Sequence, residues 1–175
     1  MSDMLRLMLL RHAHSGHHEG MADIDRTLSV RGHDEAKEMG SYMAQEGLLP
    51  AHAIVSVAQR TRDTWVQVQK QLPTQVPSVF EPRIYEASVG ALLEVVRGAP
   101  LKYRTLLLVG HNPGISALAL KLIGRGSANA LVRLRHDFPP AGFAVIDFPD
   151  AASWADLYDH SGALERFATP ASNPL

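Results

Sequence analysis

Residues 105–122 read TLLLVGHNPGISALALKL, and the hydrophobic period changes partway along them. Thr105–Val109 is a short continuous apolar run, the pattern of a strand buried on both faces. Beyond the turn, Ile115, Leu118, Ala119 and Leu122 recur on one helical face. Between the two, Asn112 is placed to cap a helix, Pro113 suits its first position, and Gly124 would end it. A buried strand running straight into an amphipathic helix is half of a βαβ unit, and it sets the expectation for the rest of the chain.

The same alternation extends in both directions. Leu5–Leu10 reads as a strand buried on both faces. Ser29 reads as an N-cap for a helix carrying Ala36, Met39 and Met43, which Gly47 stops. Ala53–Val57 is a short strand, and a helix over about 60–72 presents Trp65, Val68 and Leu72 before Pro73. Val79–Ile84 suits an edge strand, because Pro82 lies inside it. Leu92, Leu93 and Val96 mark a further helix closed by Gly98. Strands are expected at Gly142–Phe148, Trp154–Tyr158 and Leu164–Ala168. Together these predict a three-layer α/β/α sandwich with a mostly parallel sheet, formed by one domain over residues 1–168. The tail TPASNPL, residues 169–175, has the composition of a frayed terminus.

Composition narrows the function classes. The 175 residues are 46% hydrophobic and 20% charged, with a formal net charge of −1. Neither a global field nor a Lys/Arg run favours nucleic acid or an anionic membrane, so neither is expected as a partner. The apolar stretches are too short to span a bilayer or to form a signal-peptide core, and a cytoplasmic location is the expectation. Cysteine is absent, which removes disulfides, thiolate zinc sites and cysteine nucleophiles.

In open α/β sheets, ligands bind beyond the carboxyl ends of the strands. Past the first strand stand Arg11 and His12. Past the second come Ser56 and then Arg60, and past Thr105–Val109 come Gly110, His111 and Asn112. Two arginines and two histidines therefore fall at three independent strand ends. Guanidinium groups fork onto phosphoryl oxygens, and a neutral imidazole nitrogen can attack phosphorus while the other nitrogen holds its proton on a backbone carbonyl. A protonated His111 would add positive charge where a transferring phosphoryl group spreads its negative charge.

The motifs LLRHA, DRTLSVRG, SVAQRTRDT, IYEAS and LLLVGHNPG occur in this order. In them the chain resembles the histidine phosphatase superfamily, of phosphoglycerate-mutase-like fold, and most of all its short SixA-type phosphohistidine phosphatases. A fainter echo continues in FPPAGFAVIDF and WADL. The resemblance implies that Arg11 and His12 form the arginine–histidine signature, with Ala13 where glycine is frequent. It implies that Arg60 is the second phosphate-binding arginine and His111 the second active-site histidine. Glu86 matches the acidic residue proposed as proton donor in relatives, and Arg26 an additional phosphate contact. The expected activity is a metal-independent phosphatase working through a phosphohistidine at His12, without cofactor. Its expected partner is a phosphorylated protein, such as a histidine phosphotransfer protein, or a small phosphate ester.

Rival readings are weaker on physical grounds. His12, His14, His17 and His18 are crowded enough to suggest a metal, yet they sit in a loop without a downstream ligand pair. DIDRT (Asp23–Thr27) fits the pattern of magnesium-dependent phosphatases with an aspartate nucleophile, but HHEGMA before it cannot be the buried strand that chemistry requires. GHNPG lacks the Gly-Lys-Ser/Thr ending of a P-loop. An inactive phosphate-binding module would not need all four of Arg11, His12, Arg60 and His111. The loop Ala13–Leu28, with Gly16 and Gly20, is the one stretch long enough to cover a phosphate, so a shallow, open site is expected.

Overall fold

The computed structural model describes residues 4–16 and 19–171. Strands β1 (Leu5–Arg11), β2 (His52–Ser56), β3 (Ser78–Glu81), β4 (Thr105–Gly110), β5 (Ile123–Gly126), β6 (Phe143–Phe148) and β7 (Gly162–Ala168) join in one sheet, ordered β3-β2-β4-β1-β6-β7-β5. Only β6 runs against its neighbours β1 and β7; the other pairings are parallel. Helices α1 (Val30–Gln45) and α2 (Gln59–Gln71) cover one face. Helices α3 (Val89–Arg97), α4 (Gly114–Leu122) and α5 (Ala128–His136) cover the other. The expected α/β/α layering and mostly parallel sheet are present.

The apolar run of β1, interrupted only by Arg6, follows from this layering. Leu5, Leu7 and Leu9 point into the core under α3, α4 and α5, while Met8 and Leu10 point into the core under α1 and α2. All five are fully buried. Each is worth about 2 kcal/mol of burial, so the strand is held hard from both sides. Register then aligns the strand ends: Arg11 pairs with Gly110, and Val55 with Val109, which brings the carboxyl ends of β1, β2 and β4 to one level.

Four expectations need correction. The helix after β4 starts at Gly114 with Pro113 as its cap residue; Asn112 still helps, its Oδ1 accepting from Ser116 N at 3.2 Å. Gly124 lies inside β5 rather than ending α4, and a Cβ there would stand 2.0 Å from the His160 carbonyl oxygen. Trp154–Tyr158 is not a strand: Trp154–Asp156 forms a single 3-10 turn that buries the indole. Val79–Ile84 is a strand only to Glu81, after which Pro82–Ile84 turns as a 3-10 helix. Of the tail, Pro170 is buried and Ala171 N donates to Glu38 at 2.8 Å; residues 172–175 lie outside the described residues.

Candidate active site

The aligned strand ends surround a polar pocket of about 330 Å³, lined by Arg11, His12, His14, Ser15, Arg26, Arg60, His111, Asn112 and Pro140. His12 is set by backbone on every side. Its N–H donates to Gly110 O at 3.0 Å, and Ala141 N donates to its carbonyl at 3.1 Å. Its Nδ1–H donates to the Ala13 carbonyl at 2.8 Å, which leaves a lone pair on Nε2. Burial, and secondarily the charge of its neighbours, pushes the ring down to about pKa 3, against the Ala13 bond that favours protonation. At neutral pH the imidazole is therefore an uncharged base.

Cations flank that lone pair. Arg11 donates through Nη1 to the Phe138 carbonyl at 3.0 Å, while its Nε is buried without a hydrogen-bond partner. Burial lowers Arg11 from its ordinary value, but a guanidinium stays charged. Arg60, at the start of α2, is only 7% exposed. It is held by Asp23, whose carbonyl and Oδ2 accept at 2.8 and 3.2 Å. Arg26 is fixed by Gly16 O, Ser15 Oγ and Asp23 Oδ1.

The loop carrying these groups is docked on α1. Ser29 caps α1 by accepting from Gly32 N, and its hydroxyl also lies 2.7 Å from His14 Nδ1. Gly32 is needed there, since a Cβ would fall 2.0 Å from the His14 carbonyl oxygen. The wholly buried Glu35 accepts from His14 N at 3.0 Å, and its second oxygen faces Arg31 at 3.6 Å, too long for a hydrogen bond.

His111 stands opposite His12, with ring centres 5.4 Å apart, and its Nε2 lies 2.7 Å from Ser56 Oγ. Burial, with Arg60 and Arg11 nearby, pushes it down to about pKa 4, while Asp23 opposes the shift. In the free protein near neutral pH the ring is therefore uncharged.

A second cleft of about 340 Å³ shares Arg60, His111 and Asn112 with the pocket and continues between Ile84, Tyr85, Glu86, Ala87, Leu92 and Pro113. Glu86 belongs to this cleft, not to the phosphate-sized pocket. It is exposed and adopts φ of 53°, a left-handed conformation costly for a residue with a Cβ. Tyr85 donates its hydroxyl to Asp23 Oδ2 at 2.6 Å, tying the loop before α1 to the segment after β3. That bond raises the phenol to about pKa 12 and, with Arg26 and Arg60, holds the Asp23 carboxyl well below the usual carboxylate range. The site is thus a pocket with a side cleft, its rim strapped by the Tyr85–Asp23 bond.

The structure therefore brings Arg11, His12, Arg26, Arg60 and His111 together and places Glu86 next door. Sequence reasoning gave no role to Tyr85, although IYEAS contains it, nor to Asn112 in the pocket wall, where it donates to the Phe138 carbonyl that Arg11 also uses. Asp23 stands in a one-turn helix between β1 and α1, at no strand end. Among the described residues no three His, Asp or Glu side chains are placed to hold a metal. His17 and His18 lie outside the described residues.

Fold and pocket together define an α/β protein that presents a neutral histidine among arginines at the carboxyl edge of its sheet. Residues 7–103 match the histidine phosphatase superfamily (branch 1), and the chain belongs to that family. It is 34% identical to an uncharacterized protein of Mycobacterium tuberculosis, over 92% of this chain and 99% of that one. Among solved structures it is similar to proteins assigned as phosphohistidine phosphatase SixA. The one from Nakamurella multipartitia has TM-score 0.81 and 29% identity, covering 96% of this chain and 97% of that one. The one from Agrobacterium tumefaciens has TM-score 0.79 and 28% identity, covering 95% and 98%. The chain is thus a phosphohydrolase of SixA-type architecture. No helix among the described residues is long and apolar enough to cross a membrane.

Proposed function

We propose that this protein is a metal-independent phosphatase that passes its phosphoryl group through His12, with phosphohistidine on a protein as substrate. The observation that carries the reading is the His12 ring itself. Its Nδ1–H is committed to the Ala13 carbonyl, so Nε2 offers a lone pair beside Arg11, Arg60 and Arg26. In the first step Nε2 bonds to phosphorus as the bond to the leaving atom breaks, and that atom takes a proton. Glu86, in the adjoining cleft, is the proposed donor. Water then attacks phosphorus, the P–Nε2 bond breaks, and the water's proton returns to the same carboxylate. The arginines hold the phosphoryl oxygens throughout and supply the positive charge that Mg²⁺ provides elsewhere.

A phosphohistidine substrate is supported by the likeness to proteins assigned as SixA, and a flat imidazole leaving group suits the side cleft. A second reading, a small-molecule phosphomonoesterase, is favoured by the apolar wall of that cleft at Ile84, Ala87, Leu92 and Pro113. Rapid quench with labelled substrate tests the chemistry: acid-labile, base-stable label on His12 is expected, with turnover unchanged by EDTA. Acid-stable acyl phosphate at Asp23, or strict Mg²⁺ dependence, would overturn it. Comparing kcat/KM for a phosphohistidine protein and for small phosphate esters tests the substrate. A roughly hundredfold advantage for an ester, about 2.7 kcal/mol of transition-state preference, sinks the protein substrate and leaves the histidine chemistry intact.

A further inference from the structure

Ser56 ends β2 and is completely buried, and its hydroxyl, so far without a role, touches the pocket histidine His111. Two arrangements of protons fit the 2.7 Å separation between Ser56 Oγ and His111 Nε2. In the first, Nε2–H donates to the hydroxyl. The serine proton then finds no acceptor among the described residues. His111 Nδ1, buried and without a hydrogen-bond partner, keeps a lone pair that nothing satisfies. In the second, the hydroxyl donates to Nε2 while its oxygen still faces the Ala58 N–H at 3.4 Å. The ring proton then sits on Nδ1, and that N–H is the one group left without a partner. Buried polar groups without partners cost more than an ordinary hydrogen bond gains, so the arrangement with fewer of them is favoured.

We propose that Ser56 is a positioning residue, donating to His111 Nε2 and so holding the imidazole as its Nδ1–H tautomer, a hydrogen-bond donor for the phosphoryl group. The ring lines the pocket across from His12, and with Nε2 committed to Ser56 its Nδ1 is the one ring nitrogen left to serve an oxyanion there. Arg11 on β1 and Arg60 on α2 oppose an added charge on this ring, while Asp23 favours one. Tyr85 meets this ring in a T-shaped contact, 5.6 Å between ring centres. A neutral donor adds a hydrogen bond to transferring phosphoryl oxygens without the cost of protonating a buried base among cations. The opposite tautomer would turn a lone pair toward the anion.

The kinetic consequence rests on the proposed phosphatase activity; the tautomer does not. Long-range ¹H–¹⁵N spectra of the substrate-free protein near neutral pH, with His111 assigned by loss of its signals in His111→Gln, read the tautomer directly. Wild type should carry the proton on Nδ1, Ser56→Ala should lose that preference, and Ser56→Thr, which keeps a hydroxyl on a residue suited to a strand, should retain it. In turnover, Ser56→Ala should lower kcat roughly tenfold with KM little changed, the scale of one misplaced hydrogen bond, and Ser56→Thr should recover most of it. A proton on Nε2 in wild type, or an unchanged Nδ1–H tautomer in Ser56→Ala, overturns the proposal. If the alanine variant does not fold, the wild-type spectrum still decides. An Nδ1–H tautomer in a protein without phosphatase activity would sustain this assignment and remove the proposed function; an active enzyme with the proton on Nε2 would do the reverse.

Discussion

The pocket has two walls built by different means. The β1 wall, Arg11 to Ala13, is tied through backbone groups to Gly110 and Ala141, and Ala13 N donates to the buried Thr64 hydroxyl at 3.0 Å. His12 is 8% exposed and Ala13 not at all. The rim formed by Asp23, Tyr85 and Glu86 is largely exposed, and side-chain bonds from Arg26, Arg60 and Tyr85 hold it together. Backbone ties inside a sheet open only when the sheet opens, whereas exposed side-chain ties each contribute little and rearrange singly. The wall is therefore the part suited to chemistry that must not move, and the rim the part suited to choosing and releasing a substrate.

The largest expected effect breaks the comparison at its centre. His12→Ala should abolish phosphoenzyme label and lower kcat/KM by at least about ten-thousandfold, because the nucleophile itself is gone. Its thermal midpoint should stay close to that of wild type, since the core under β1 is untouched; label persisting in this variant would refute the assignment. Arg60→Ala should cost about a hundredfold to a thousandfold in kcat, the scale of one charged donor at a transferring group. Arg60→Lys should recover little, as a point charge cannot reproduce a guanidinium fork. A loss of only a few-fold would place Arg60 with the rim instead.

Stability against pH gives the next effect. His12 is held at about pKa 3 when folded, below its ordinary 6.5, so between those values the unfolded chain binds more protons than the folded one. Its contribution is fully present above pH 6.5 and is lost as pH falls toward 3. At pH 5 the loss amounts to about 2 kcal/mol, readable as a fall in the urea midpoint that should be shallower in His12→Asn. The smallest effect belongs to the rim. Tyr85→Phe removes the bond to Asp23 and should shift KM by roughly threefold to tenfold while kcat barely changes, the reach of about one hydrogen bond. A kcat loss as large as that of Arg60→Ala would show that the strap belongs to the catalytic machinery.

Where local pattern and tertiary demand coincide, the sequence was legible. LRLMLL and TLLLV are buried on both faces, so their periodicity and their position in the sheet say the same thing. Where they part, it was not. IGRG carries two glycines and no strand pattern, and it is extended because β7 pairs with it. α5 was missed because it buries only Leu134 fully, too little apolar face to register as a period. Trp154 suggested a strand, yet its indole is placed by donating to the Tyr103 carbonyl, a bond formed 51 residues away.

The sequence by itself determined that strands alternate with helices and that Arg11, His12, Arg60 and His111 follow strand ends, because period and punctuation are local properties of the chain. Only the tertiary structure decided which of their atoms are committed and which are free. The Ala13 carbonyl selects the His12 tautomer, Asp23 gathers Arg26, Arg60 and Tyr85, and Ser56 reaches His111 across 55 residues. Most of these bonds join groups far apart in the chain. Their partners are chosen by strand register and loop path once the core has closed, and no hydrophobic period carries that information.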